Sequence, residues 1–185
     1  MTKAEARKLA KACRAAVDLH TVGHAMAGVL FALPAWQHAD TVLAFASMPD
    51  EPDTADILRQ ALAESKRLLL PRVLSRTEMD WVEITALSQL QPGAYGILEA
   101  PASLPAFDTA HLGDGALALI PCLAAGRDGV RLGRGGGYYD RFLAHYKGAK
   151  LLLCPEAVLT DTLPCDDWDA HFAPEEILTE KGIQV

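Results

Sequence analysis

Four short runs, TVLAFAS (41–47), RLLLPRV (67–73), ALALIP (116–121) and KLLLC (150–154), are almost continuously apolar. A strand with one face in water alternates apolar and polar residues. Runs without that alternation fit strands covered on both faces, the usual state of a parallel sheet. Helix-period segments separate them, at 53–65 with Asp53 or Thr54 near its cap and at about 137–146. A fifth strand, MDWVEI (79–84), is more polar and reads as more exposed. Two helices precede the first strand. One spans 2–17 with Leu9, Cys13 and Ala16 on one face, and one spans about 19–33 and is ended by Pro34. Strand–helix–strand alternation predicts an α/β fold with three layers, a mainly parallel sheet flanked by helices. Ligands of such sheets sit at the carboxyl ends of the strands, here the loops after Ser47 and Pro121.

No repeat, low-complexity tract or linker divides the 185 residues, so 1–185 is expected to be one domain. A net charge of −7 argues against nonspecific attraction to nucleic acid or to an anionic membrane. Cys13, Cys122, Cys154 and Cys165 form no CxxC pair, and reduced thiols suit them better than zinc or disulfides. The N-terminus has no early apolar segment, and the longest apolar run, 25–33, is about half a membrane span. A cytoplasmic location is expected, and nothing points to an obligatory protein partner.

The chemistry concentrates in 126–141, GRDGVRLGRGGGYYDR, with six glycines, four arginines and two aspartates between a strand and a helix. Glycine lets backbone amides approach an anion, a helix start adds positive dipole, and Arg131 and Arg134 supply forked donors to phosphate oxygens. Asp140 is poised to hold a cation that the phosphate shares. The loop is neither a Walker loop, which requires Gly-Lys-Ser/Thr, nor a dinucleotide fingerprint, which would require glycine at Tyr138.

RLGRGGGYYDRFL (131–143), behind the Ile120-Pro121 strand end, resembles the signature of the 5-formyltetrahydrofolate cyclo-ligase family. LAFASMPDEPDT (43–54), RLLLPRV (67–73) and TLPCDDWDAHFAPEEILTE (162–180) resemble further family segments in the same order. The resemblance implies a ligase that converts 5-formyltetrahydrofolate, possibly polyglutamylated, and ATP into 5,10-methenyltetrahydrofolate, ADP and phosphate with Mg²⁺. It implies ATP contacts from Lys3, Arg7, Arg131, Leu132, Gly133, Arg134, Gly135, Gly136, Gly137, Tyr138 and Tyr139, with Arg134 as the catalytic group and Arg14 a further candidate. It implies folate contacts from Ala46, Met48 and Glu51, from Trp81 or Tyr138 stacking on the pterin, and from the loop at Arg134, Gly135, Gly136 and Gly137. Asp140 and Asp169 are the implied metal ligands, with Asp166 and Asp167 competing for the second place because 171–176 is about two residues longer than usual. Gly136 replaces a lysine found in some relatives.

The residues suit that chemistry. A formyl amide is a poor electrophile until its oxygen is phosphorylated, and the rest is positioning and charge stabilisation. Lys3, Arg7, Lys11 and Arg14 form a stripe expected opposite Leu9 and Cys13, a landing place for a triphosphate. Two other readings stand beside this one. A sugar-phosphate isomerase or transferase would use the loop for a monophosphate and leave Lys3 and Arg7 idle. A folate- or nucleotide-binding protein without turnover would not need the loop, Asp140 and Glu51 together.

Overall fold

The computed structural model describes residues 1–93 and 97–184; the rest of the expected 1–185 domain lies outside them. In chain order the helices are α1 (Lys3–Ala15), α2 (Leu19–Ala32), α3 (Pro34–His38), α4 (Ala55–Ala63) and α5 (Tyr138–Leu143). The strands are β1 (Thr41–Leu43), β2 (Arg67–Val73), β3 (Met79–Ile84), β4 (Gln91–Pro92), β5 (Leu98–Glu99), β6 (Ala106–Phe107) and β7 (Ala116–Pro121). They continue with β8 (Ala124–Gly126), β9 (Arg131–Leu132), β10 (Ala149–Leu153), β11 (Leu159–Thr160), β12 (Ile177–Thr179) and β13 (Gly182–Ile183).

Eight strands form one sheet in the order β13-β12-β10-β7-β1-β2-β3-β6. The five inner strands from β12 to β2 run parallel; β13 closes one edge antiparallel to β12, and β3 and then β6 extend the other, each antiparallel to the strand before it. The apolar runs behave as expected for strands covered twice. On one side Val42, Leu68, Leu70, Leu117, Leu119, Leu151 and Leu153 pack under α2 and α4, around Met26, Leu30 and Ile57. On the other, Leu43, Leu69, Ala118, Ile120 and Leu152 pack beneath Ala6 and Ala10 of α1 and Phe142 of α5. The layers are helices, sheet, helices, as the alternation predicts.

The order of the central strands sets the site. From β1 the chain crosses through α4 to β2 on one side, while from β7 it crosses through α5, on the opposite face, to β10. The connections therefore part between β1 and β7, and their carboxyl ends open a crevice there. β8, β9 and β11 form a separate three-stranded sheet beside it.

Two expectations need correcting. The strand expected over 41–47 is regular only over Thr41–Leu43, although Ala44 N–H still donates to Leu69 O (2.9 Å). The buried face of α1 is also not the one expected. Leu9 is 54% exposed, and the inner face carries Ala6, Ala10 and Arg14, with Lys3 and Arg7 half-buried beside them. The basic stripe thus points largely inward, and only Lys11 of its four members is exposed. Alanine brings the helix axis close to the sheet and loops, so arginine heads reach backbone carbonyls that a leucine would have covered and left unpaired. No single helix among the described residues is long and apolar enough to cross a membrane.

Candidate functional site

Two loops leave the crevice between β1 and β7. The first, after β1, closes into a tight acidic turn. Glu51 N–H donates to Met48 O, and the Glu51 carboxylate accepts from Met48 N–H, each at 2.9 Å. Thr54 fastens the turn's far end by donating its hydroxyl to Phe45 O (2.7 Å) and accepting from Ser47 N–H (3.1 Å). These bonds leave Glu51 only 8% exposed. The second loop, after β7, folds back as the β8–β9 hairpin and enters the glycine run 133–137 before α5. Gly135 (φ 102°) and Gly137 (φ 67°, the N-cap of α5) adopt left-handed backbone that glycine accepts without strain. At Gly133 a Cβ would sit 2.9 Å from the Arg131 guanidinium, so a side chain here would push that head against its bonds to Pro121 O and Asp140.

Helix α1 ties the loops together. Arg14, 1% exposed, donates Nε to Leu123 O (2.9 Å), Nη2 to Cys122 O (2.5 Å) and Nη1 to Asp50 O (2.9 Å). One guanidinium thus binds both loops. Two turns earlier, Arg7 Nε donates to Gly133 O (2.9 Å). Lys3 reaches a third segment and pairs with Asp166 (2.6 Å) and with Asp169. Although burial works against the Lys3 charge, those carboxylates raise its pKa above the usual lysine value. Asp169 is lowered in turn. Its burial is outweighed by Lys3 and by the Asp166 N–H that it accepts (2.7 Å).

Arg131 is equally internal. It is 6% exposed, donates Nε to Pro121 O (2.9 Å) and pairs with Asp140 (3.0 Å). Its guanidinium lies 5.5 Å from the Tyr139 ring centroid, and that ring meets Trp81 edge-on at 6.4 Å. Arg134 leaves the glycine loop in the other direction. It spans to the acidic turn, contacting Asp50 at 2.5 and 3.1 Å and Glu51 at 3.0 and 3.2 Å. The Arg134 hydrogen bonds hold the Asp50 carboxyl below the usual aspartate pKa.

These contacts divide the expected residues among three places. Lys3, Arg7, Arg131, Leu132, Gly133, Gly135, Gly136, Gly137, Asp140 and Asp169 share one open cleft of about 500 Å³. Ala46, Met48 and Glu51 belong to the acidic turn, joined to the glycine loop through Arg134. Tyr138 and Trp81 border a second, larger cleft of about 890 Å³ on the other flank of α5. Within that group Trp81 is a core residue. It is 3% exposed and packs on Phe142 at 5.0 Å, which closes its ring face to a stacking ligand. Tyr138 is half-buried, and its hydroxyl donates to Ser75 O (2.7 Å). Arg14 is the other correction. Its burial and its three carbonyl partners make it a staple of the crevice and remove it from contact with a ligand.

Sequence reasoning passed over Arg141, which donates to Gly136 O (2.7 Å) and stands in the wall between the two clefts. Its position one turn after Gly137 was the available signal. It also passed over Trp168, 74% exposed on the rim of the smaller cleft. Among the described residues no three His, Cys, Asp or Glu side chains form a metal cage. A Mg²⁺ carried by phosphates does not need one, since it typically takes one or two protein carboxylates and fills its shell with phosphate oxygens and water.

The sequence profile described as the 5-formyltetrahydrofolate cyclo-ligase family matches residues 2–180. The chain is 30% identical over 149 residues to the 5-formyltetrahydrofolate cyclo-ligase of Mycolicibacterium smegmatis, covering 76% of this chain and 74% of that one. It is 31% identical over 136 residues to the enzyme of that name from Escherichia coli K12, covering 71% and 74%. The solved structure of Aquifex aeolicus 5,10-methenyltetrahydrofolate synthetase superposes with a TM-score of 0.83 at 26% identity, over 100% of this chain and 92% of that one. A 5,10-methenyltetrahydrofolate synthetase from Mycoplasma pneumoniae shares the fold at a TM-score of 0.75 and 21% identity, over 97% and 99%. With its parallel sheet, its crevice between β1 and β7 and its profile match over 2–180, this chain belongs to the 5-formyltetrahydrofolate cyclo-ligase family and is a ligase.

Proposed function

We propose that the protein uses ATP and Mg²⁺ to cyclise 5-formyltetrahydrofolate to 5,10-methenyltetrahydrofolate, releasing ADP and phosphate through phosphorylation of the formyl oxygen. The observation that carries this reading is the joining of two chemically different loops. A glycine loop lined by Arg7 and Arg131 meets an acidic turn, and Arg134 spans 83 residues of sequence to connect them. Such a site can hold a polyphosphate against a group bound at Glu51. The sheet takes strands from Thr41 to Ile183, which supports one domain. Four free cysteines are consistent with a reducing, cytoplasmic setting.

In this reading the phosphates lie in the smaller cleft, on Lys3, Arg7 and the amides of 133–137. The pterin lies beyond Arg134, with the Glu51 carboxylate accepting from its ring N–H and amino groups. The formyl oxygen attacks the γ-phosphorus and ADP leaves. N10 then adds to the activated formyl carbon and gives up its proton to solvent, and phosphate departs with that oxygen. Arg134 moves from the acidic turn towards the charge that develops on the transferring phosphoryl group, where a positioned donor contributes most. The donor set fits a phosphate-borne Mg²⁺: Asp140 uses Oδ1 on Arg131 and on Ala170 N–H, which leaves Oδ2 for the ion, and Asp169 lines the same cleft. Mg²⁺ bound there supplies neutralisation of the phosphate charge. The test is direct. Purified protein mixed with 5-formyltetrahydrofolate and Mg-ATP should develop the methenyl absorbance, and full-rate product with ATP omitted refutes the mechanism.

A further inference from the structure

Three tryptophans divide sharply by environment. Trp36 and Trp81 are 1% and 3% exposed and sit in the two cores, whereas Trp168 is 74% exposed. A single exposed aromatic carries little by itself. Trp168, however, lines the cleft formed by Lys3, Arg7, the glycine loop and Asp140. Its backbone is also anchored. Asp169 N–H donates to Asp166 O (3.0 Å), Asp166 N–H donates to the Asp169 carboxylate (2.7 Å), and Lys3 holds both carboxylates. The turn 166–169 is thus fixed to α1, and the ring it carries faces solvent at the cleft mouth.

We propose that Trp168 is the platform on which the purine base of the bound nucleotide stacks. This rests on the proposed use of ATP and names the residue that reads the base end of it. A triphosphate seated on the glycine loop leaves its nucleoside projecting, and the cleft's other lining residues are glycines, cations and carboxylates with no broad apolar face except Leu132 and Ala144. An indole gives a flat π surface for a base, and its own exposed area is then covered. In the proposed reading the pterin lies elsewhere, at Glu51, Met48 and Ala46, which do not line this cleft.

The ring provides its own reporter, being the one solvent-open tryptophan of the chain's three. Acrylamide quenching should fall when ATP or ADP binds and stay unchanged with inorganic tripolyphosphate, which has no base. Trp168→Ala should raise the half-saturating ATP concentration by about 5- to 150-fold, the range for losing one base–aromatic stack, with tripolyphosphate affinity unchanged. Trp168→Phe should restore most of the ATP affinity while losing the fluorescence response. All of this should hold at a constant half-saturating 5-formyltetrahydrofolate concentration. If calorimetry shows ATP binding while quenching is unaffected and the alanine variant binds equally well, the stacking assignment is overturned and ATP use stands. Protection by 5-formyltetrahydrofolate in place of nucleotide overturns it in favour of the pterin. Absence of any ATP binding to the wild type overturns the functional reading and this inference together.

Discussion

Arg14→Met removes a guanidinium and keeps most of the apolar stem, so it isolates what the buried charge does. Two carbonyls, Cys122 O and Leu123 O, lose a partner in a fully buried setting, and Asp50 O loses one in a partly buried setting. An unsatisfied buried carbonyl costs about 1–3 kcal/mol, which places the loss at about 2–6 kcal/mol. For a domain of this size each kcal/mol lowers Tm by about 2–4 °C, so differential scanning calorimetry should show a fall of roughly 5–20 °C. The damage should also reach function, because the freed carbonyls belong to the loops on either side of the crevice. Arg7→Met is the contrast. It loses one part-buried bond, to Gly133 O, worth about 0.5–1.5 kcal/mol net, and should lower Tm by no more than about 6 °C while raising the ATP requirement more than the folate requirement. If Arg14→Met melts within about 2 °C of wild type, water or a neighbouring donor replaces the guanidinium, and its role as a staple is wrong.

Arg134→Ala should lower kcat about 10²- to 10³-fold, the effect of removing one charge-stabilising donor, and leave circular dichroism unchanged because the side chain is exposed. Wild-type turnover in that variant would return the glycine loop to a solvated surface turn. Glu51→Gln should weaken folate binding more than ATP binding, measured by separate titrations; the reverse order would mean that the two pockets have been exchanged. Asp140→Asn should raise the Mg²⁺ concentration for half-maximal rate and depress kcat, and should also lower Tm because buried Arg131 loses its counter-charge; Asp169→Asn should shift the Mg²⁺ requirement more weakly. If neither shifts the Mg²⁺ requirement, phosphates and water hold the ion alone.

Legibility in the sequence followed the length and covering of each element. β2, β3 and β7 occur at the expected bounds because six or seven residues are enough to leave a readable pattern, apolar at the centres of β2 and β7 and more polar in β3. The strands of the small sheet, the inner strand β12 and the edges β6 and β13 span only two or three residues each, too few for a period to exist. Helix α5 ends at Leu143 although 137–146 was expected, and the last residues leave the helix as Tyr146 turns its hydroxyl to Ala116 O and Ala149 O (each 3.0 Å). The glycine loop and its cleft partners were legible because most lie in one segment. The pairing of Arg134 with Glu51 was not, since it depends on β7 lying next to β1, a long-range fact absent from local pattern.

The reversed face of α1 explains why an acidic chain carries its cations where it does. Parallel strands end with carbonyls and loops that diverge, here the β1 turn, the β7 hairpin and the 166–169 turn, and no ladder joins the three. A helix laid across them with leucine inward would bury those carbonyls without partners. Alanine at 6 and 10 brings α1 near enough for Lys3, Arg7 and Arg14 to reach one segment each, or two in the case of Arg14. The charges differ in what remains for a ligand. Arg14 is spent on carbonyls and fully enclosed, so it sets the frame. Lys3 and Arg7 remain half-buried on the cleft wall, where in the proposed reading an arriving polyphosphate draws them away from their present partners. One amphipathic stripe therefore grades from an enclosed staple at its carboxyl end to an open cleft wall at its amino end, and hydrophobicity alone, which ranks Leu9 above Ala6, reads it backwards.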